Sequence, residues 1–278
     1  MELEDVVVDR RGCVGWITIN RPGKRNALRA RSFSELERAL ALYESDPDVR
    51  VVVLTGAGAT SFCAGVDMQS EGLPGDTEAW DAHTRGNAAV LRRAWYLDKP
   101  LITAVNGYAL AAGCNLALVG DLTLASERAS FGEPEIRHGA LSPLLLLPWL
   151  TNFKAFNYLY LTGDRVSAQE ALRLGMVNAV VPAAELRDEA QRLAERVASA
   201  PLYALQLAKR AVRLTLDIMG FSAAQEAHRF VDTFLLASRG VVEKERLMAV
   251  LEREGMKAFL DARDTPYGER PTGEDRPG

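Results

Sequence analysis

The chain has 278 residues, 48% of them hydrophobic, and its 33 basic and 37 acidic residues leave a net charge of −4. That length supports one large domain or a domain with an appendage. The acidic balance argues against a nucleic-acid partner, whose protein footprint is normally basic and clustered. The N-terminal MELEDVVVDRRG is too charged for a secretory signal. No apolar run reaches the roughly 20 residues of a membrane span; the longest, Leu141 to Leu150, is broken by Pro143 and Pro148. Cys13, Cys63 and Cys114 are far apart without metal-ligand spacing, so they read as free thiols in a reducing compartment. A cytoplasmic protein without a membrane partner or a metal is expected.

Val6–Val8 and Gly15–Ile19, separated by Asp9-Arg10-Arg11-Gly12, predict a hairpin. The spacing of Phe33, Leu36, Leu40 and Tyr43 predicts a helix over 28–44. Val51–Leu54 has the look of a buried strand, and the glycine-rich TGAGATSFCAGVDM, residues 55–68, follows it as a loop. A helical stretch over 76–97 and a strand over 101–105 complete a β-α-β alternation, which argues for an α/β fold with parallel pairing. A turn at Asn106-Gly107 leads to Ala111-Ala112-Gly113 and then to a helical pattern through Leu116, Leu118 and Val119. Leu122–Ala125 predicts another short strand. Beyond residue 143 one more strand is expected, at 177–181. Helices are expected over 185–199, 201–219, 222–238 and 241–263, with Pro201 at a first-turn position and Gly220 and Gly240 at ends. Residues 70–80 read as a mobile lid. The Pro- and Gly-rich stretch 264–278 is expected to be disordered.

The first amides of a helix lack partners inside it and carry the positive end of its dipole. Small residues at a strand-to-helix junction, as at Ala111-Ala112-Gly113, therefore offer N–H donors to an oxygen gathering negative charge. Two such loops, each behind a hydrophobic strand, make a stronger signal than one. With their flanks they resemble the enoyl-CoA hydratase/isomerase (crotonase) superfamily. The matching residues are Asn20-Arg21-Pro22 with Asn26-Ala27-Leu28, Phe62 to Asp67, Asn106 to Leu110 with Ala112-Gly113-Cys114, and Phe131 to Ile136. Leu161-Thr162-Gly163, Leu174 to Val177, Val180-Val181-Pro182 and Glu254 to Phe259 follow in the family's order, so the likeness runs from about residue 5 to 262.

The resemblance implies a ββα spiral core over 1–199 holding an acyl-CoA site. It also implies a helical oligomerisation region over 200–263, forming a homotrimer or a dimer of trimers. The substrate would be an enoyl-CoA thioester, with coenzyme A as part of the substrate and no tightly bound cofactor. The N–H groups of Val66 and Ala112 would hold the thioester oxygen, and Glu135 of Pro134-Glu135-Ile136 would be the acid/base. Arg25, Ala64, Asp67 and Met68 would meet the CoA moiety. A carboxylate beside apolar groups has its pKa raised toward the working pH, which suits Glu135 for that role. Glu133 is the fallback base, since an extended FGEPEI would point both carboxyls the same way. His138 reads either as a surface or capping histidine or as an extra acid-base or substrate contact.

Two departures from the family stand out. Hydratases carry a second glutamate where this chain has Asn115, a carboxamide that cannot take a proton; it either orients water or satisfies the helix start. Where the family has a glycine-rich run, this chain has Gly139 to Pro143 followed by Leu144–Leu147, leaving less room for water and more apolar wall for an acyl tail. Both favour double-bond isomerisation by one base. The alternatives are an enoyl-CoA hydratase using Glu135 with water held by Asn115, a CoA-thioester or carbon–carbon hydrolase, and a non-catalytic RNA-binding module on the same fold.

Overall fold

The fold is that of a computed structural model of the chain, which describes residues 3–70 and 74–268. In chain order it runs β1 (Val6–Arg11), β2 (Val14–Ile19), α1 (Ala30–Ser45), β3 (Val51–Gly56), β4 (Ser61–Cys63), α2 (Thr77–Trp95), β5 (Leu101–Val105), β6 (Tyr108–Leu110), α3 (Ala112–Leu118), β7 (Leu122–Ser126) and β8 (Ser130–Gly132). A 3-10 helix at Pro134–His138 follows, then α4 (Leu147–Leu150), α5 (Phe153–Thr162), β9 (Val166–Ser167), α6 (Ala168–Arg173) and β10 (Ala179–Val181). Four long helices complete the chain: α7 (Leu186–Ala198), α8 (Leu202–Ile218), α9 (Phe221–Ala237) and α10 (Val242–Asp264).

The strands form two sheets. One has the order β1-β2-β3-β5-β7-β10, the other β4-β6-β8-β9. Among the described residues only the pairs β1–β2 and β8–β9 are antiparallel. From β3 to β8 consecutive strands alternate between the sheets, so β3–β4–α2 and β5–β6–α3 are successive ββα turns of a spiral, with β7–β8 starting the next. The inner strands of the first sheet are covered on both faces, which is why β3 and β5 read as nearly continuous apolar runs. Leu36, Leu40 and Leu91 pack with Ile17 and Leu54 on one side. Ala190 and Ala194 of α7 pack with Trp16, Val53 and Ile102 on the other. Trp16 also donates its Nε1–H to Gln191 at 2.7 Å.

The second sheet is the main departure from the sequence-based expectation. Residues 55–68 are not all loop, because β4 lies within them, and β6 and β8 add to it. Strands of three residues are too short to show a period. The tail expectation also meets structure: residues Thr265–Tyr267 form a 3-10 turn, and the Arg137 guanidinium lies 4.2 Å from the Tyr267 ring centre. Residues 269–278 of that segment, and 71–73 of the expected lid, lie outside the described residues. Among the described residues no helix is long and apolar enough to cross a membrane. Nor, among them, does any cluster of His, Cys, Asp or Glu suit a metal ion. The three cysteines are free.

Candidate active site

A cleft of about 1950 Å³ gathers Val66, Ala112 and Glu135 onto one surface. Two loops build the corner where sequence analysis expects the thioester oxygen. Leu28 N–H donates to Gly65 O, and Asp67 N–H donates to Leu28 O, each at 2.8 Å. These bonds bracket Val66, so its own N–H points to the opposite side, into the cleft. Ala112 opens α3, and its N–H has no acceptor within the helix. The two loops touch: a Cβ on Gly65, whose φ is 97°, would sit 2.7 Å from the Ala111 Cβ and 3.5 Å from Ala112 N. Ala111 itself takes φ 57° and ψ −133°, a conformation alanine adopts only under constraint. Gly113 is equally pinned, since a Cβ there would meet Cys63 O at 2.1 Å. Gly65→Ala is therefore expected to separate the amides and lower kcat/KM by on the order of a hundredfold, with the thermal unfolding transition kept cooperative.

Two asparagines not singled out as site residues in the sequence, Asn26 buried and Asn106 half-buried, hold these loops. Asn26 donates through Nδ2 to Ala57 O and Ser61 O and accepts from Arg21 N–H. Asn106 donates to Gly58 O at 2.7 Å. Arg25, Ala64, Asp67 and Met68 all line the same cleft. Arg25 is exposed with φ 51°, and its carbonyl accepts Ala64 N–H at 3.1 Å. Asp67 accepts from Arg21 Nη2 at 3.0 Å. Met68 packs against the Leu247–Phe259 cluster of α10.

Glu135 rests on the 3-10 helix, where Pro134 supplies a preset φ at the first turn. That turn overrides the extended FGEPEI expected from sequence, so the two glutamates diverge. Glu135 faces the cleft, and both its carboxylate oxygens are buried without a hydrogen-bond partner among the described residues. Burial, reinforced by Glu133, holds its carboxyl well above the usual range. Arg137 anchors the turn from behind, donating to Thr162 O and Asp164 and pairing with Asp264.

Glu133 turns inward instead. Its Oε1 accepts Asn115 Nδ2–H at 2.7 Å, and its Oε2 lies 3.0 Å from Ser142 Oγ. Ser142 Oγ is also 3.0 Å from Leu144 O. One hydroxyl proton cannot serve both acceptors, but a protonated Glu133 can donate to Ser142 while Ser142 donates to Leu144. Burial pushes the Glu133 carboxyl up to about 8, in keeping with that proton.

Asn115 is fully buried, with Oδ1 taken by Leu144 N–H at 2.8 Å and Nδ2 engaged by Glu133. It does not appear among the residues lining the cleft. Leu144, Leu146 and Leu147 likewise belong to the core, so the apolar acyl wall expected from them is corrected: the Leu144 amide is drawn inward to Asn115. Asn115→Ala would orphan a buried amide and a buried carboxyl oxygen. It is expected to lower stability by about 2–4 kcal/mol, read from urea midpoints.

His138 is neither a cap nor a surface group. It lines the cleft, its ring meets Phe259 edge-on, and its Nδ1 is buried without a partner among the described residues. Burial, with Arg263 nearby, pushes its pKa down to about 3, so it stays a neutral imidazole. Sequence reasoning missed the other lining groups from α2, α9 and α10, including Trp80, Asp232 and Met248. Gly255, at φ 83° and ψ −179°, kinks α10, and Phe259, Leu260 and Arg263 beyond the kink line the cleft.

The Glu133 proton gives a pH test. A buried acid whose folded pKa is about 8, against an ordinary 4.5, favours the folded state fully below pH 4.5; that advantage is lost as pH rises toward 8. Glu133→Gln keeps both hydrogen bonds without the ionisation. It is expected to be more stable than the wild type at alkaline pH, by on the order of 1–3 kcal/mol. Because a like charge near Glu135 is removed, the alkaline-shifted limb of kcat/KM is expected to move down.

Residues 9–270 match the enoyl-CoA hydratase/isomerase family. The short-chain-enoyl-CoA hydratase of Clostridium acetobutylicum is 34% identical over 263 residues, covering 93% of this chain and 99% of that protein. The carnitinyl-CoA dehydratase of Escherichia coli K12 is 35% identical over 266 residues, covering 94% and 97%. The crystal structure of an enoyl-CoA hydratase/isomerase from Xanthobacter autotrophicus Py2 superposes with a TM-score of 0.91 at 33% identity, covering 95% of this chain and 99% of that one. The chain belongs to the enoyl-CoA hydratase/isomerase family, and its α/β fold is the crotonase fold.

Proposed function

We propose that this acyl-CoA enzyme moves a double bond along an enoyl-CoA, with Glu135 as the single proton carrier. The thioester oxygen takes N–H donors from Val66 and Ala112. Removal of the Cα proton by ionised Glu135 then leaves a dienolate whose charge rests on that oxygen. Glu135, now protonated, returns the proton two carbons away. The observation that carries the reading is the isolation of Glu135: its carboxylate oxygens meet no partner among the described residues, and the Asn115 carboxamide is already bonded to Leu144 and Glu133. A neutral Glu133 sets no second negative charge beside Glu135 when Glu135 ionises.

Hydration of a 2-enoyl-CoA is the second reading, favoured by the names of the relatives and by the withdrawal of Leu144–Leu147 from the cleft wall. Turnover of a 3-enoyl-CoA in D2O tests the single-carrier mechanism. Protium retained at Cγ of the product is expected, because a buried carboxyl exchanges slowly with solvent. Complete deuteration would mean that a second, solvent-fed group delivers the proton.

The CoA moiety is assigned to Arg25, Ala64, Asp67 and Met68, as part of the substrate. The spiral of residues 1–199 carries most of the site, and residues 200–263 are assigned to self-association, as a trimer or a dimer of trimers. Tyr203, Leu214 and Ile218 of α8 and Phe230 and Phe234 of α9 support this, each more than half exposed in the single chain. A cytoplasmic location fits the three free thiols.

A further inference from the structure

Asp232 is a carboxyl group in the cleft that proton transfer by Glu135 leaves unused. It sits on α9, on the side away from the exposed Phe230 and Phe234, and is 5% exposed. Its Oδ1 accepts Leu141 N–H at 2.9 Å, and Oδ2 meets no partner among the described residues. The side chain lines the same surface as Glu135. Its neighbours fix its place: Arg229 pairs with Asp81, and Thr233 shares a 2.7 Å hydrogen bond with Thr84. These contacts clamp α9 against α2, whose Trp80 and Asn87 line the cleft beside it.

Nearby cations do not neutralise Asp232 by contact. Lys244 donates to Leu235 O and Leu236 O, and Arg229 is held by Asp81 and Glu226. Burial pushes the Asp232 carboxyl up to about 7. With the thioester oxygen at Val66 and Ala112 and the CoA end at Arg25, the wall built by α2, α9 and α10 is what the acyl group meets, and Asp232 is part of it. An alkyl chain against it would desolvate a carboxyl oxygen and offer it no hydrogen bond. A site built to bond a polar substituent rejects the analogue lacking it far more strongly than an apolar pocket rejects an added hydroxyl.

We infer that the acyl group this enzyme accepts carries a hydrogen-bond donor, a hydroxyl or a protonated amine, that meets Asp232. This deepens the acyl-CoA assignment and rests on that placement of the thioester. It does not depend on whether the reaction is isomerisation or hydration.

The test is calorimetric titration of the full chain with saturated acyl-CoAs, which undergo neither reaction. Butyryl-CoA and its longer homologues are each compared with their terminally hydroxylated and terminally aminated counterparts, for the wild type and Asp232→Asn. Asparagine keeps an oxygen for Leu141 N–H but presents NH2 where Oδ2 was. At one chain length or more, a donor-bearing ester is expected to bind wild type at least about tenfold tighter than the alkyl ester. In Asp232→Asn that preference is expected to shrink to within about threefold. Whether the hydroxyl or the amine gives the larger preference identifies the donor. Alkyl esters binding as tightly at every length would overturn the inference. So would an Asp232→Asn variant losing alkyl and donor esters equally, which would make Asp232 only a prop for Leu141. Absence of binding for every acyl-CoA would instead overturn the placement of the thioester, and this inference with it.

Discussion

Glu135→Gln is expected to lower kcat by on the order of a thousandfold while leaving the affinity for a saturated acyl-CoA within about threefold. The swap is nearly isosteric and removes only the ability to take a proton. The Glu135 side chain makes no hydrogen bond that the folded chain depends on, since both carboxylate oxygens are without a partner among the described residues. The damage should therefore fall on turnover rather than on stability. Stopped assays on 3-enoyl-CoA, paired with thermal unfolding, separate the two. Activity within about threefold of wild type would remove Glu135 from the proton-transfer role. The next candidate would then be Asp232, which shares the cleft, rather than Glu133, which points away from it.

Substitution at Ala112 should divide by backbone chemistry rather than by side chain. Ala112→Pro deletes the N–H proposed to hold the thioester oxygen, yet proline is tolerated at the first position of a helix. The expected loss is on the order of a hundredfold to a thousandfold in kcat/KM. Ala112→Gly keeps the N–H, and its cost should stay within a few-fold. Equal damage from both would mean that the small side chain, packed at 1% exposure, matters more than the amide.

The site divides into parts that sequence could and could not disclose. The two amide-bearing loops were legible because each needs small residues where chains touch, and Gly65 and Gly113 answer contacts of 2.7 and 2.1 Å. The long strands were legible because burial on both faces leaves uninterrupted apolar runs, as in β3 and β5. The second sheet was not, because each of β4, β6 and β8 contributes three residues. The divergence of Glu133 from Glu135 was half visible: Pro134 marks a turn, but only the fold shows Asn115 and Ser142 waiting behind it. Asn115 was visible as a departure from the family, yet its bonds to Leu144 and Glu133 are tertiary and leave no local trace. The same holds for Asp232, which reaches the cleft from α9, whose sequence announces only an apolar face.

Asn115→Glu illustrates the difference. From sequence alone it would restore the carboxylate of a hydratase. In the fold it would place a second carboxyl within hydrogen-bonding distance of Glu133, away from the cleft, and forfeit a fully buried carboxamide. Destabilisation, without a gain in water addition, is the expected result.

Single-carrier proton transfer is tested most directly by giving the wild-type protein a 3-enoyl-CoA and a 2-enoyl-CoA in separate reactions and resolving the products. The expected result is conversion of the 3-enoyl to the 2-enoyl ester, with little 3-hydroxyacyl product from either. Formation of 3-hydroxyacyl-CoA from the 2-enoyl ester at about 10 per second or more, the ordinary range for enzymes, would contradict it and make the protein a hydratase.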